Sequence, residues 1–206
     1  MALVKALLDK IDRQGWGMIP NYFDDSSSIQ LRNECESASL SLSGDFKQAG
    51  IGRVASLKVN AEVRTDQILW LLSGDLFPEQ QAYQVKLELL RLALNERFFL
   101  GLFDFEGHFA FYPEGGFYKP HLDCHLNSNA RVMTVILYLN ERWTSGDGGE
   151  LKLWTTCGEK SGAFALIPPL MGTLVCFPSA DYWHEVLPTT KPRRSITGWF
   201  RHRANH

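Results

Sequence analysis

From residue 98 onward the chain breaks into short runs of β-forming residues closed by turn residues, and this texture limits the fold most. The runs are HFAFY, VMTVILYL, ELKLW, TLVCF and SITGWF, punctuated by PEGG, NSN, SGDGG, PPLMG and PTTKP. Many short strands with regular punctuation predict a barrel or sandwich. The first 97 residues read as helical. Leu3, Leu7, Leu8 and Ile11 recur at helical spacing, and Gly15 is a stop. The DDSSS run at residues 24–28 reads as a capping loop for a helix beginning near Ile29. Residues 44–66 carry Gly44, Gly50 and Gly52 and alternate only weakly, which predicts a flexible hairpin. After Pro78, Tyr83, Leu87, Leu90 and Leu94 form one apolar side, with Val85, Leu89 and Leu92 beside them. Such a wide face predicts packing against a sheet. The expected fold class is α+β: a double-stranded β-helix (jelly-roll) core with N-terminal supporting helices, in one domain spanning 1–206.

Composition narrows the partners. The chain is 45% hydrophobic and 21% charged, which supplies a core and excludes wholesale disorder. Its 21 basic and 23 acidic residues leave a net charge of −2, so nothing electrostatic points to nucleic acid or an anionic membrane. No apolar run approaches the ~20 residues that span a bilayer. The start, MALVKALLDKIDRQG, is interrupted by Lys5, Asp9 and Lys10 and does not read as a secretory signal. Cys35, Cys124, Cys157 and Cys176 form no C-x-x-C pair, which argues against a disulfide framework or a four-thiolate zinc site. The expectation is a reduced, cytoplasmic protein.

Three pieces carry chemistry. His121-Leu122-Asp123 would, on a strand, project an imidazole and a carboxylate to one side. The same pair also fits a surface loop after a turn. His184, in DYWHEVLP, could add a second imidazole, or could be a core or surface histidine stacked near Trp183. Two imidazoles and one carboxylate on one face of an octahedral ion leave three adjacent positions open, the facial arrangement of non-haem Fe(II) oxygenases. In the last strand Arg193, Ser195 and Thr197 share a face, with Ile196 and Gly198 on the other. A cation and two hydroxyls facing inward suit a ligand carboxylate, which a guanidinium pairs with bidentately. The alternative is a basic turn formed by Arg193 and Arg194 after Pro192. Tyr112 and Tyr138 could face the same cavity or be ordinary core tyrosines.

YPEGGFYKPHLD, RVMTVILYLNERW, DGGELKLW, GTLVCF and HEVLPTTKPRRSITGWF, in this order, resemble the 2-oxoglutarate- and Fe(II)-dependent prolyl 4-hydroxylase superfamily. The likeness is greatest to the hypoxia-type prolyl hydroxylases and their bacterial relatives. It covers about residues 60–203 and reaches weakly to VRTDQILW, which resembles the segment after those enzymes' mobile substrate loop.

The resemblance implies that His121, Asp123 and His184 bind iron and that Arg193 binds the far carboxylate of 2-oxoglutarate. Tyr138 and Thr197 would hydrogen-bond that carboxylate, and Tyr112 would lie near iron and co-substrate. Trp199, Ile136 and Leu151 would line the pocket, and a mobile loop at about 44–66, with Gly50, Gly52 and Arg53, would close on substrate. Residues 98–206 would be the catalytic core. Arg194 stands where the family has an aromatic or other residue, so Arg193 is the expected carboxylate binder. The implied cofactors are Fe(II), 2-oxoglutarate and O₂, with L-ascorbate in support. The implied reaction is C4 hydroxylation of a prolyl residue in a protein or peptide through an Fe(IV)-oxo species, releasing succinate and CO₂. A translation elongation factor is the target that the bacterial relatives suggest. Another residue or a free amino acid as substrate, or a non-catalytic binding module, are the alternatives. Asp123 separates the chain from halogenases, which lack that carboxylate. RRSITGWFR does not match the R-x-N-x-x-x-x-x-R signature of nucleic-acid demethylases.

Overall fold

The computed structural model describes residues 2–40, 46–50, 60–71, 78–124 and 131–203. The N-terminal part carries α1 (Ala2–Gln14), β1 (Gly17–Ile19), α2 (Asp25–Leu40), β2 (Lys47–Gln48), β3 (Gln67–Trp70) and α3 (Pro78–Phe98). Eight strands follow: β4 (Asp104–Tyr112), β5 (Tyr118–His121), β6 (Arg131–Tyr138), β7 (Leu151–Trp154), β8 (Phe164–Ile167), β9 (Leu174–Pro178), β10 (His184–Val186) and β11 (Arg193–Arg201). They form a seven-stranded sheet, β1-β9-β6-β11-β4-β3-β2, and a four-stranded sheet, β5-β10-β7-β8. All the pairings between these strands are antiparallel. This is a jelly roll with helices on one side, as the strand punctuation predicts.

Alternation along the central strands divides the large sheet into two faces. Phe109, Met133, Val135, Leu137, Leu174, Cys176, Ile196 and Phe200 form one core with Leu7 and Ile11 of α1, Leu31 and Cys35 of α2, and Leu87, Leu90 and Leu94 of α3. The opposite face turns Ile136, Tyr138, Val175 and Phe177 toward Leu151, Leu153 and Ile167 of the small sheet. Each fully buried Leu or Phe here contributes about 1.5–3 kcal/mol through removal from water. No helix among the described residues is long and apolar enough to cross a membrane. None of the four cysteines forms a disulfide; Cys35 and Cys176 are buried and Cys157 is exposed.

Two helical expectations need correction. On α3, Tyr83, Leu87, Leu90 and Leu94 are buried, but Val85, Leu89 and Leu92 are 63%, 53% and 50% exposed. Helical residues advance by about 100° each, so positions two apart lie about 200° around the axis. The second stripe therefore points away from the sheet. The second correction concerns α2, which begins at Asp25 rather than near Ile29. One side chain, Asp24, caps it: Oδ1 accepts from the Ser27 backbone N–H (2.9 Å) and from Ser26 Oγ (2.8 Å), and Oδ2 from Ser27 Oγ (3.1 Å). The serines are thus the first turn of the helix. The Ser27 N–H, with Ser26 and Ser27 hydroxyls, holds the Asp24 carboxyl well below the usual carboxylate range.

Asp24→Ala removes this cap and should cost about 1 kcal/mol of stability. Urea unfolding checks it: Asp24→Asn, which keeps the accepting oxygen, should lose less than Asp24→Ala.

Candidate metal centre

His121 closes β5, His184 opens β10, and the two are direct partners where those strands pair. Their ring centroids lie 4.2 Å apart. Asp123 completes the group: His121 Nε2 is 3.7 Å from its Oδ1, and His184 Nε2 is 3.4 Å from its Oδ2. One ligand atom from each of the three residues lies within 4.8 Å of the others. Strand alternation is not what aligns Asp123. The strand ends at His121, and Asp123 stands in the bend beyond it. The backbone N–H groups of Asp123 and Cys124 donate to Ser179 O at 3.2 and 3.3 Å. Thr134 Oγ1 donates to Asp123 Oδ2 at 2.8 Å and lies 2.9 Å from Ser179 Oγ. Because Thr134 spends its proton on the carboxylate, Ser179 must donate to Thr134.

Both imidazoles are set up as ligands. His121 Nδ1 is 2.8 Å from Lys119 O, and His184 Nδ1 is 3.0 Å from Tyr182 O. Only a protonated Nδ1 can donate to a carbonyl, which leaves the Nε2 lone pair free toward Asp123. Burial, with His184 adding to it, pushes the His121 pKa down to about 3 against the pull of Asp123. Burial would raise the Asp123 pKa, but His184, His121 and the Thr134 hydroxyl together hold it at about 2. At neutral pH the group offers His121 as a neutral imidazole and Asp123 as an anionic carboxylate. Two imidazole nitrogens and one carboxylate suit a divalent first-row transition ion, with positions left for other ligands.

Deeper in, Arg193 is 1% exposed. Its Nε donates to Gly149 O at 2.9 Å, and its Nη1 lies 3.5 Å from Ser195 Oγ, which lies 3.5 Å from Thr197 Oγ1. The shared face predicted for these three residues is present. The rings of Tyr112 and Tyr138 stand 4.9 and 5.2 Å from the guanidinium carbon. Among the described residues no carboxylate pairs with Arg193, and the buried Tyr138 hydroxyl, which feels the Arg193 guanidinium beside it, donates to no acceptor. Burial, opposed by Arg193, raises the Tyr138 pKa to about 12, so its phenol is a proton donor. A buried cation and an unpaired donor together fit a ligand carboxylate. Gly149, at φ +68, allows Arg193 this position: a Cβ there would stand 3.1 Å from Arg193 Cδ, Thr189 Cβ and Trp143 Cζ2. Arg194 points the other way, to Glu36 of α2 at 3.3 Å.

A cavity of about 470 Å³ joins the triad to Arg193. Tyr112, Thr197, Ile136, Leu151, Trp199 and Gly50 line it. Tyr138 lies behind Arg193 rather than on the wall. Gly52 and Arg53 lie outside the described residues. The wall also holds residues that the sequence reading missed: Arg64, Asp66, Trp70, His108, Tyr118 and Arg131. His108 was within reach, because it shares a strand face with Ala110 and Tyr112. Thr134 was too, since it is in phase with Tyr138. His108 packs between Trp70 (5.0 Å) and Trp199 (5.5 Å), and its Nδ1 is buried without a partner. Burial, then Arg64 and Arg131, push its pKa down to about 3. The Trp199 indole N–H lies near enough to help lower the Asp123 pKa, yet has no hydrogen-bond partner in good geometry. Arg131 covers Trp199 with its guanidinium carbon 3.4 Å from the ring centroid.

Comparison with known proteins places this geometry. Residues 107–201 match the family model of the 2OG-Fe(II) oxygenase superfamily. The chain is similar to a Pseudomonas putida prolyl-4-hydroxylase, at 35% identity over 98% of this chain and 100% of that one, with a TM-score of 0.85. It is also similar to a Trichoplax adhaerens prolyl hydroxylase in complex with a hypoxia inducible factor oxygen degradation domain peptide fragment. That match has 27% identity over 97% of this chain and 89% of the other, with a TM-score of 0.81. A Phytophthora capsici prolyl 4-hydroxylase matches at 25% identity over 98% of this chain and 63% of its own, with a TM-score of 0.77.

The two low imidazole pKa values set an acid sensitivity. His108 and His121 stay neutral down to about pH 3 when folded, whereas an unfolded histidine titrates near about 6.5. Between those values the unfolded chain binds more protons, so stability falls as pH drops from about 6.5 toward 3. His108→Met removes one of the two groups. Thermal melts of the metal-free chain between about pH 4 and 7 should then show a shallower fall than wild type. An unchanged slope would contradict a neutral buried His108.

Proposed function

The chain belongs to the 2OG-Fe(II) oxygenase superfamily, in its prolyl 4-hydroxylase group, and from that premise we propose that it hydroxylates a prolyl residue of a protein or peptide at C4. It is an Fe(II)- and 2-oxoglutarate-dependent dioxygenase. Iron and 2-oxoglutarate, when bound, supply the activation of O₂ and the oxidation of 2-oxoglutarate to succinate and CO₂. The observation that carries the reading is the pairing of the His121–Asp123–His184 group, in one cavity, with a buried Arg193 that no carboxylate of the described residues neutralises.

In this reading His121, Asp123 and His184 hold the iron. Thr134 and Ser179 fix the carboxylate, and the Nδ1 bonds to Lys119 O and Tyr182 O keep both Nε2 atoms turned inward. Arg193 binds the far carboxylate of 2-oxoglutarate, with Tyr138 as a donor and Thr197 close by. The planar, permanently charged guanidinium gives that carboxylate one orientation. Tyr112 flanks the co-substrate, while Ile136 and Leu151 exclude water from its chain. Trp199, Trp70 and His108 form an aromatic wall suited to an apolar ring, and proline presents one.

The prolyl substrate is supported by the likeness to a prolyl-4-hydroxylase and to a prolyl hydroxylase bound to a peptide fragment. A translation elongation factor is our proposed target, on the resemblance to bacterial relatives, with the cytoplasm as the compartment. L-ascorbate would keep the metal ferrous. We also take 1–97 as support and substrate-covering loop, and 98–206 as the catalytic core.

Purified protein with Fe(II), 2-oxoglutarate and an elongation factor should release succinate and add one oxygen atom to a proline, read by mass spectrometry. Succinate release without gain of mass on any proline would overturn the substrate and leave the cofactor chemistry standing. Arg193→Leu should raise the KM for 2-oxoglutarate at least about tenfold, as loss of a charge-assisted pair predicts. His184→Ala should abolish turnover.

A further inference from the structure

The ring of Tyr118 lies flat on His121, with centroids 3.5 Å apart and planes 15° from parallel. Such contact follows from an irregular register. His184 pairs with His121 and Val186 with Tyr118, so three steps on β5 match two on β10. The bulge brings Tyr118 back over the imidazole instead of onto the opposite face. The guanidinium carbon of Arg64 stands 4.1 Å from the Tyr118 centroid. Imidazole and guanidinium cannot share one face at these distances without overlapping, so Tyr118 is held between them.

Arg64 is itself fixed. Nε and Nη2 donate to the two oxygens of Asp66 at 2.7 and 2.6 Å, and Asp66 is fully buried. Arg64 Nη1 reaches Gly50 O at 3.4 Å, and the Ala49 N–H donates to Asp66 O at 3.0 Å. The two stems of the glycine-bearing segment, 49–50 and 64–66, therefore meet at this one ion pair. The second stem also closes the edge of β5: Thr65 N–H donates to Phe117 O, Phe117 N–H to Thr65 Oγ1, and Lys119 N–H to Val63 O. Lys119 O in turn faces His121 Nδ1. A buried ion pair contributes little to stability compared with an apolar pair of the same volume. Stability alone does not call for Arg64 and Asp66 at this place; aiming Tyr118 does.

We propose that Arg64 is a positioning residue for the metal centre: paired with Asp66, it clamps Tyr118 against His121, so that metal binding and the order of the two stems are coupled. The inference rests on the assignment of His121 as a metal ligand. Coupling of this kind is reciprocal. Metal held by His121 steadies the stems, and a disturbed stem loosens His121.

Co(II) serves as the probe, because its visible bands report ligand geometry and its binding needs neither substrate nor turnover. Arg64→Gln combined with Asp66→Asn removes the clamp without leaving a buried unpaired carboxylate. Tyr118→Leu removes the stacked ring, and Tyr118→Phe keeps it. The double variant and Tyr118→Leu should bind Co(II) roughly tenfold more weakly, the usual scale for groups that orient a ligand, with altered visible bands. Tyr118→Phe should match wild type. In wild type, Co(II) should slow amide hydrogen exchange at residues 46–50 and 60–66, and that slowing should vanish in the double variant. Wild-type affinity, bands and exchange in the double variant and in Tyr118→Leu would overturn the clamp alone. If the double variant does not fold, Tyr118→Leu decides by the same measures. A wild-type chain that does not take up Co(II) would overturn the metal assignment and the clamp with it.

Discussion

The register of β11 between β4 and β6 is the constraint on which the rest of the molecule depends. It sets Arg193 against Tyr112, Ser195 between Ala110 and Tyr138, and Thr197 between His108 and Ile136. A slip of one residue would turn Arg193, Ser195 and Thr197 under the helices and leave Ile196 and Phe200 in the cavity. The first outcome is the costly one, since the helix side is a continuous apolar core that offers a guanidinium no partner, and the second would empty the cavity of its cation. The same alternation that buries Leu87 and Leu94 of α3 against the sheet therefore aims the guanidinium. Stability and site geometry are two faces of one strand.

The small sheet supplies the second half of the geometry. His121 and His184 meet because β5 and β10 pair at that step, and Leu153 of β7 backs His184 from the other side. No helix contributes to the triad. Its third member, Asp123, depends on a hydrogen-bond chain that crosses between elements: Ser179 follows β9, Thr134 lies on β6, and the carboxylate follows β5. The strands bring the imidazoles close, and the chain of hydroxyls then selects one orientation of the acid. A carboxylate this buried would otherwise favour its neutral form. Two imidazoles and a hydroxyl donor keep it ionised, which is the form that a cation needs.

Legibility in the sequence follows from periodicity. The strands β4, β6, β7, β9 and β11 stand out as apolar runs, and phase along β11 sorts Arg193 from Ile196 without any structure. The histidines and Asp123 are recognisable as a pattern, yet the cause assigned to His121 and Asp123, strand alternation, is not the cause found. A bend and a distant threonine do that work, and neither leaves a periodic trace. Arg64 and Asp66 lie on a short segment with no apolar rhythm, and Tyr118 is three residues before His121, an odd spacing that strand phase assigns to the opposite face. Only the bulge in β5 brings it back. On α3 the opposite error arises: Val85, Leu89 and Leu92 have the right spacing among themselves and the wrong angle relative to Tyr83 and Leu87.

Hydrogen-bond accounting bears on the site as well as on the fold. Nearly all buried polar groups in a folded protein are paired, because an unpaired one costs about 1–3 kcal/mol. Asn140 obeys: it donates to Pro169 O and Arg194 O and accepts from the Arg194 N–H, locking the turn after β6 to the start of β11. Among the described residues the rule fails away from the cavity, at Ser28 Oγ, Glu34 Oε2, Tyr83 Oη and Arg194 Nε, and also around it, at Tyr138 Oη, His108 Nδ1 and Trp199 Nε1. Tyr138 stands beside Arg193, and Trp199 stands beside both His108 and Asp123. The three around the cavity fall at its two ends, one next to the guanidinium and two next to the triad. A chain selected for stability alone would fill those positions with apolar side chains of similar size, as it has done with Ile136 and Leu151 between them. Those three lie where the carboxylate of the proposed co-substrate and the proposed substrate ring would come to rest.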